Sequence, residues 1–134
     1  MQKSSDSKIP LPYTDKPLLD NPQDFHFAII ADRTGGERKG PFGETMKALN
    51  LLRPEFTICV GDLVEGCYCS PTEQHAEKCM NDEWNELENF IDKLDMRFYY
   101  VVGNHDINLG WPNNHLAHDV SKRVWIERHG DKTY

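Results

Sequence analysis

Three short apolar runs, each cut off by an abrupt polar cluster, limit this chain to a narrow set of architectures. Phe25-His26-Phe27-Ala28-Ile29-Ile30-Ala31 stops at Asp32, Phe56-Thr57-Ile58-Cys59-Val60 stops at Gly61-Asp62, and Phe98-Tyr99-Tyr100-Val101-Val102 stops at Gly103-Asn104-His105-Asp106. Runs of this length read as buried strands. Between them the apolar residues recur at helical spacing. Phe42, Met46 and Leu49 mark one helix, which Pro54 stops, and Trp84, Leu87, Ile91 and Leu94 mark a second. After the third run, Leu116, Val120 and Val124 share the face of a further helix. Strand, helix, strand, helix, strand is the order of a parallel α/β sheet. In such sheets ligands bind in the crevice at the carboxyl ends of the strands. Asp32, Asp62 and Asn104 therefore meet at one edge although they lie far apart in the chain.

Two carboxylates, an amide oxygen and an imidazole around one crevice form a mixed oxygen and nitrogen donor set. It suits manganese, iron or zinc better than a thiolate-preferring ion. Two such ions sharing a carboxylate would polarise a phosphoryl oxygen and supply hydroxide at neutral pH. The charge balance agrees with a cation-binding protein. With 15 basic and 22 acidic side chains the formal charge is -7, which argues against a nucleic-acid surface, since that needs clustered Lys and Arg.

The segments Ala31-Asp32-Arg33-Thr34, Gly61-Asp62-Leu63-Val64-Glu65-Gly66 and Gly103-Asn104-His105-Asp106 resemble the ordered motifs of the calcineurin-like metallophosphoesterases. Those motifs read Asp-x-His, Gly-Asp-x-x-(Asp/Glu) and Gly-Asn-His-(Asp/Glu). The resemblance runs from Phe25 to the C-terminus and implies hydrolysis of a small phosphate mono- or diester by hydroxide at a dinuclear metal site. It implies Asp32 as a ligand of the first ion, Asp62 as the bridging carboxylate and Asn104 as a ligand of the second. His105 then assists the leaving oxygen, Glu65 orients His105, and Asp106 supports the site from behind. Thr34 stands where the family carries a histidine ligand, and the Asp-Arg-Thr-Gly-Gly stretch resembles that of a subgroup. Two later histidine motifs do not appear. The implied fold is thus a parallel βαβαβ half of an α/β/β/α sandwich. The rival expectation is a non-catalytic fragment or binding module that keeps this half.

Other residues carry weaker signals. Gly35 and Gly36 could present amides to a phosphate, with Arg33 adding charge, or form an ordinary turn with a solvated Arg. For Cys67, Cys69 and Cys79 three states stay open. They are a disulfide from Cys79 to Cys67 or Cys69, free thiols, or a zinc site that includes His75. Cys59 reads as a small buried apolar residue. His26, His75, His115, His118 and His129 read as solvent-facing or loop histidines. Trp84, Trp111 and Trp125 read as packing anchors.

At 134 residues the chain fits one small domain. Residues 1–24, with four prolines between positions 10 and 22, read as a flexible lead-in, and 25–134 as the N-terminal portion of the domain. No apolar stretch approaches the ~20 residues of a membrane span. A cytoplasmic protein and a secreted one whose signal was removed remain equal expectations. Half a sandwich leaves an apolar sheet face or strand edge open, so self-association is expected, with Lys132-Thr133-Tyr134 as the start of a fourth strand.

Overall fold

The apolar runs do pair as strands, over shorter spans than their composition suggests. The computed structural model describes residues 10–18, 23–110 and 115–131. The elements follow as β1 (Ala28–Ile30), α1 (Pro41–Leu52), β2 (Phe56–Cys59), α2 (Glu73–Ile91), β3 (Arg97–Tyr99) and α3 (His115–His129). The strands lie side by side in chain order and are all parallel, with Ile29 opposite Ile58 and Ile58 opposite Tyr99. The expected strand beginning at Lys132 and the Trp111-Pro112 loop fall outside the described residues. The β2–β3 ladder stops early because a side chain takes over. The Cys59 thiol accepts from Val101 N at 3.0 Å and donates to Val101 O at 3.3 Å.

Local chemistry sets the helix ends. Pro41 opens α1, where a missing N–H costs nothing. Arg53, left-handed at φ 51, closes it by donating N–H to Leu49 O, and Pro54 follows. Thr72 caps α2 by accepting from His75 N at 3.2 Å. Along α2, Ala76, Met80, Trp84, Leu87 and Ile91 are buried at three- and four-residue spacing, and Leu94 is buried just beyond its end. On α3 Val120 and Val124 are buried as expected, and the face differs at its first position. Leu116 is exposed, and the buried face is Ala117, Val120, Ser121, Val124, Trp125 and His129.

The helices cover one face of the sheet. Thr57, Cys59, Phe98 and Tyr100 are buried on that side, with Ala28 and Ile30 packed against the same core. Trp84 and Trp125 meet edge to face at its centre, 5.5 Å between rings, as expected of packing anchors. Strand alternation sends the other residues to the opposite face. There Phe27, Ile29 and Val60 stay 49%, 60% and 55% exposed. Phe27 stacks on Phe56 at 5.2 Å, and Phe56 meets Tyr99 at 5.5 Å.

Residues 10–18, inside the stretch read as a flexible lead-in, lie along the outer edge of β3. Tyr13 bridges Tyr99 in antiparallel sense, Thr14 N donates to Phe98 O at 2.9 Å, and Tyr100 N donates to Pro12 O at 2.8 Å. Proline is tolerated there because this edge pairing asks Pro12 only for its carbonyl.

Candidate metal centre

The loops that follow the three strands are tied to one another through main-chain bonds. Asp32 N donates to Gly61 O at 3.3 Å and Arg33 N to Asp62 O at 3.0 Å. His105 N donates to Asp62 Oδ1 at 2.9 Å. Gly61 and Gly103 touch back to back: a Cβ on Gly61 would sit 2.6 Å from Gly103 Cα, and Gly61 has φ +100. A side chain at either position would push the second and third loops apart.

Asp106 holds this junction from behind. Its carboxylate is fully buried and accepts from the amides of Leu63 at 2.8 Å, Gly103 at 2.8 Å, Asp62 at 3.0 Å and Val64 at 3.1 Å. Burial pushes this carboxyl above the usual range, and the four amide donors oppose the shift.

In front of the junction the ligand-type side chains are held with spare oxygen lone pairs. Asp32 and Asp62 both adopt left-handed backbone, at φ 53 and 57, a costly state that the surrounding bonds impose. Asp32 and Asn104 are exposed, and neither side chain has a hydrogen-bond partner among the described residues. Asp62 uses one carboxylate oxygen, on His105 N, and keeps the other. The predicted Asp32, Asp62 and Asn104 are therefore brought to one edge.

His105 lies beside them and meets Glu65, but through the main chain and not the carboxylate. Its Nδ1 lies 2.8 Å from the main-chain carbonyl of Glu65. A carbonyl only accepts, so Nδ1 carries the proton in this contact, and Nε2 of the neutral ring is then the lone-pair nitrogen. The Glu65 carboxylate points its bonds elsewhere, accepting from Gly35 N at 3.0 Å and Gly36 N at 3.4 Å. Glu65 thus orients His105 with its backbone and fastens the first loop with its side chain.

That arrangement corrects both expectations for the first loop. The Gly35 and Gly36 amides serve a carboxylate of the protein itself, not a phosphate. Arg33 is neither solvated nor open to substrate. Its side chain is 5% exposed and pairs with Glu37 at 2.8 Å and Glu86 at 3.1 Å. It also donates to Leu63 O at 3.3 Å and lies over the Phe42 ring at 5.5 Å. A cleft of about 350 Å³ opens beside this loop, lined by Asp32, Thr34, Arg38 and Thr45 among others. Arg38 is exposed and has no charge partner among the described residues. Nothing in its spacing marked it; only the fold places it on the Asp32 side.

The remaining expectations sort by geometry. His26, His75 and His118 each meet a local oxygen, Leu52 O, Ser70 Oγ and Ile107 O. His115 is exposed. His129 was expected in a loop or facing solvent, yet it is buried at the end of α3 among Tyr100, Trp125 and Trp84, 4.2, 4.6 and 4.8 Å between rings. Cys67 and Cys79 form a disulfide, and Cys69 is an exposed free thiol. Cys59 is buried and its thiol is pushed up to about 11 by burial, as a structural cysteine would be.

A family model described as calcineurin-like phosphoesterase matches residues 24–132. The chain belongs to that family. Calcineurin-like phosphoesterases are phosphoester hydrolases that depend on divalent metals, which agrees with the three strand ends converging here. Comparison with curated proteins finds no significant match, and comparison with solved structures finds none.

The donors present fit a hard or borderline divalent cation, being carboxylate and amide oxygens with uncommitted lone pairs. They do not amount to shells for two ions. Among the described residues, the group of three or more His, Cys, Asp or Glu with ligand atoms mutually within 4.8 Å is Cys67, Cys79 and Glu83, not the strand-end set.

Proposed function

We propose that this calcineurin-like phosphoesterase hydrolyses phosphate mono- or diesters of small molecules, with divalent cations held by Asp32, Asp62 and Asn104. The observation that carries the reading is the convergence of these side chains, with open oxygen lone pairs, at the carboxyl ends of three adjacent parallel strands. Bound manganese, iron or zinc would neutralise phosphoryl charge and lower the pKa of water. His105, its Nδ1 proton engaged by Glu65 O, presents Nε2 for proton exchange with the leaving oxygen. Arg38 supplies the charge that draws a phosphate into the cleft beside Asp32. Two ions need more ligands than the strand ends supply, and a hydroxyl at Thr34 is a weaker donor than imidazole. We therefore infer that further ligands come from outside this set, and that the Asp-Arg-Thr-Gly-Gly stretch marks a subgroup with an altered first metal position.

The test is manganese-dependent hydrolysis of an aryl phosphate, together with metal analysis of the purified chain. Asp62→Asn and His105→Ala are each expected to lower activity by about a hundredfold or more, within the range of a lost acid–base group. Unchanged activity in both variants would refute the assignment. Metal binding without hydrolysis in the wild type would favour the second reading, a non-catalytic module, which the Thr34 substitution supports.

The open sheet face bearing Phe27, Ile29 and Val60 supports self-association as well. Ile29→Lys is expected to shift the sedimentation profile toward monomer. A wild-type chain that sediments as monomer across a hundredfold concentration range would sink the idea.

A further inference from the structure

Beside the strand-end site lies a cluster that the phosphoesterase reading does not use. Glu83 sits one helical turn beyond Cys79 on α2, and its Oε1 is 3.8 Å from Cys67 Sγ and 3.9 Å from Cys79 Sγ. Its Oε2 accepts from Gly66 N at 3.0 Å. In the disulfide the sulfurs carry no proton, so Oε1 faces two lone-pair-bearing atoms that can offer it no hydrogen bond. Burial pushes the Glu83 carboxyl up, opposed by the Gly66 amide and reinforced by the charge of Glu65. Glu83 makes no ion pair among the described residues, and the more distant Arg33 charge only partly offsets its burial.

Reduction changes what the cluster can hold. Cys67, Cys79 and Glu83 have their ligand atoms within 4.8 Å of one another in the disulfide form, and once reduced two thiolates and a carboxylate are a soft-leaning donor set for a thiophilic cation. Around tetrahedral zinc, with Zn–S near ~2.3 Å and Zn–O near ~2.1 Å, adjacent sulfur and oxygen ligands are about 3.6 Å apart. The observed sulfur–oxygen separations of 3.8 and 3.9 Å are close to that already. Cys69, exposed and two residues from Cys67, is the next thiol available for a fourth position.

We propose that Cys67, Cys79 and Glu83 form a redox-gated site, shut as a disulfide and open to one zinc-class cation once reduced. With a phosphine reductant, the phosphine takes oxygen from water to become phosphine oxide, and the sulfur–sulfur bond becomes two thiols. Binding the cation then releases the two thiol protons.

The experiment titrates zinc, against a chromogenic chelator, into the chain before and after phosphine treatment and desalting. Cobalt substitution reads the near-ultraviolet charge-transfer band that only thiolate ligation gives. Reduction is expected to add one zinc per chain, bound at least tenfold tighter than any zinc on the oxidised form, with the cobalt band appearing. Glu83→Gln should weaken that added zinc about tenfold, and Cys67→Ser with Cys79→Ser should abolish it. Asp62→Asn should leave it in place, which separates this site from the strand-end reading. Equal zinc binding before and after reduction, or cobalt bound without the thiolate band, would overturn the proposal. The wild-type cobalt spectrum decides even if the double variant does not fold.

Discussion

Replacing Asp106 by alanine is expected to cost about 3–5 kcal/mol, a large share of the ~5–15 kcal/mol that holds a domain together. The carboxylate is the shared acceptor for the amides of Asp62, Leu63, Val64 and Gly103, and the Leu63 and Val64 side chains around it are fully buried. Each orphaned buried amide costs about 1–3 kcal/mol, and local relaxation keeps the sum below simple addition. Asp106→Asn should lose roughly half as much. Its amide oxygen can still serve Leu63 and Val64, while its NH₂ confronts the N–H groups of Asp62 and Gly103. Urea unfolding followed by circular dichroism reads both. An unfolding free energy for Asp106→Ala within about 1 kcal/mol of wild type would show that the junction holds without this carboxylate.

Mild acid should destabilise the chain through His129. Burial among three aromatic rings, with Arg128 adding a smaller push, lowers this imidazole to about 3 from the ordinary 6.5. Its Nε2 has no hydrogen-bond partner among the described residues. The ring is therefore neutral in the fold and takes a proton on unfolding wherever the pH lies between those values. Stability from the neutral ring is complete above pH 6.5 and is lost as the pH falls toward 3. The full span amounts to about 4–5 kcal/mol, and the step from pH 7 to pH 5 to about 2 kcal/mol. His129→Phe keeps the aromatic packing and removes the titration, so its unfolding free energy should be about 2 kcal/mol less sensitive over that step. Identical pH slopes for the two proteins would refute the account. The step stops at pH 5 because most carboxylates titrate below it.

The strands were legible because each apolar run is bounded by polar residues or proline, and the site because its motifs close those runs. What could not be read were partnerships between distant residues. Arg33 is taken out of solvent by Glu86, 53 positions away, and the Glu65 carboxylate is claimed by Gly35 and Gly36. A sequence cannot say whether a residue will accept through its side chain or its carbonyl, and Glu65 does both. His129 was within reach. The face that carries Val120 and Val124 also takes in Ser121, Trp125 and His129, each four residues on from the last, and that spacing is visible in the sequence. The strand lengths were beyond reach, since Cys59 replaces a main-chain partner with sulfur.

The left-handed backbone at Asp32 and Asp62 also limits how these positions can drift. Among L-residues that conformation is entered most readily by asparagine and aspartate, beyond which only glycine is at ease. Arg53 shows that a long side chain can enter this region, yet shape alone favours short polar side chains or none at both positions, before any cation is considered. Mutational wandering would pass from a charged oxygen to a neutral one to no ligand at all, with the loops keeping their course. In such a lineage, chemistry would fade by degrees while the architecture stayed intact.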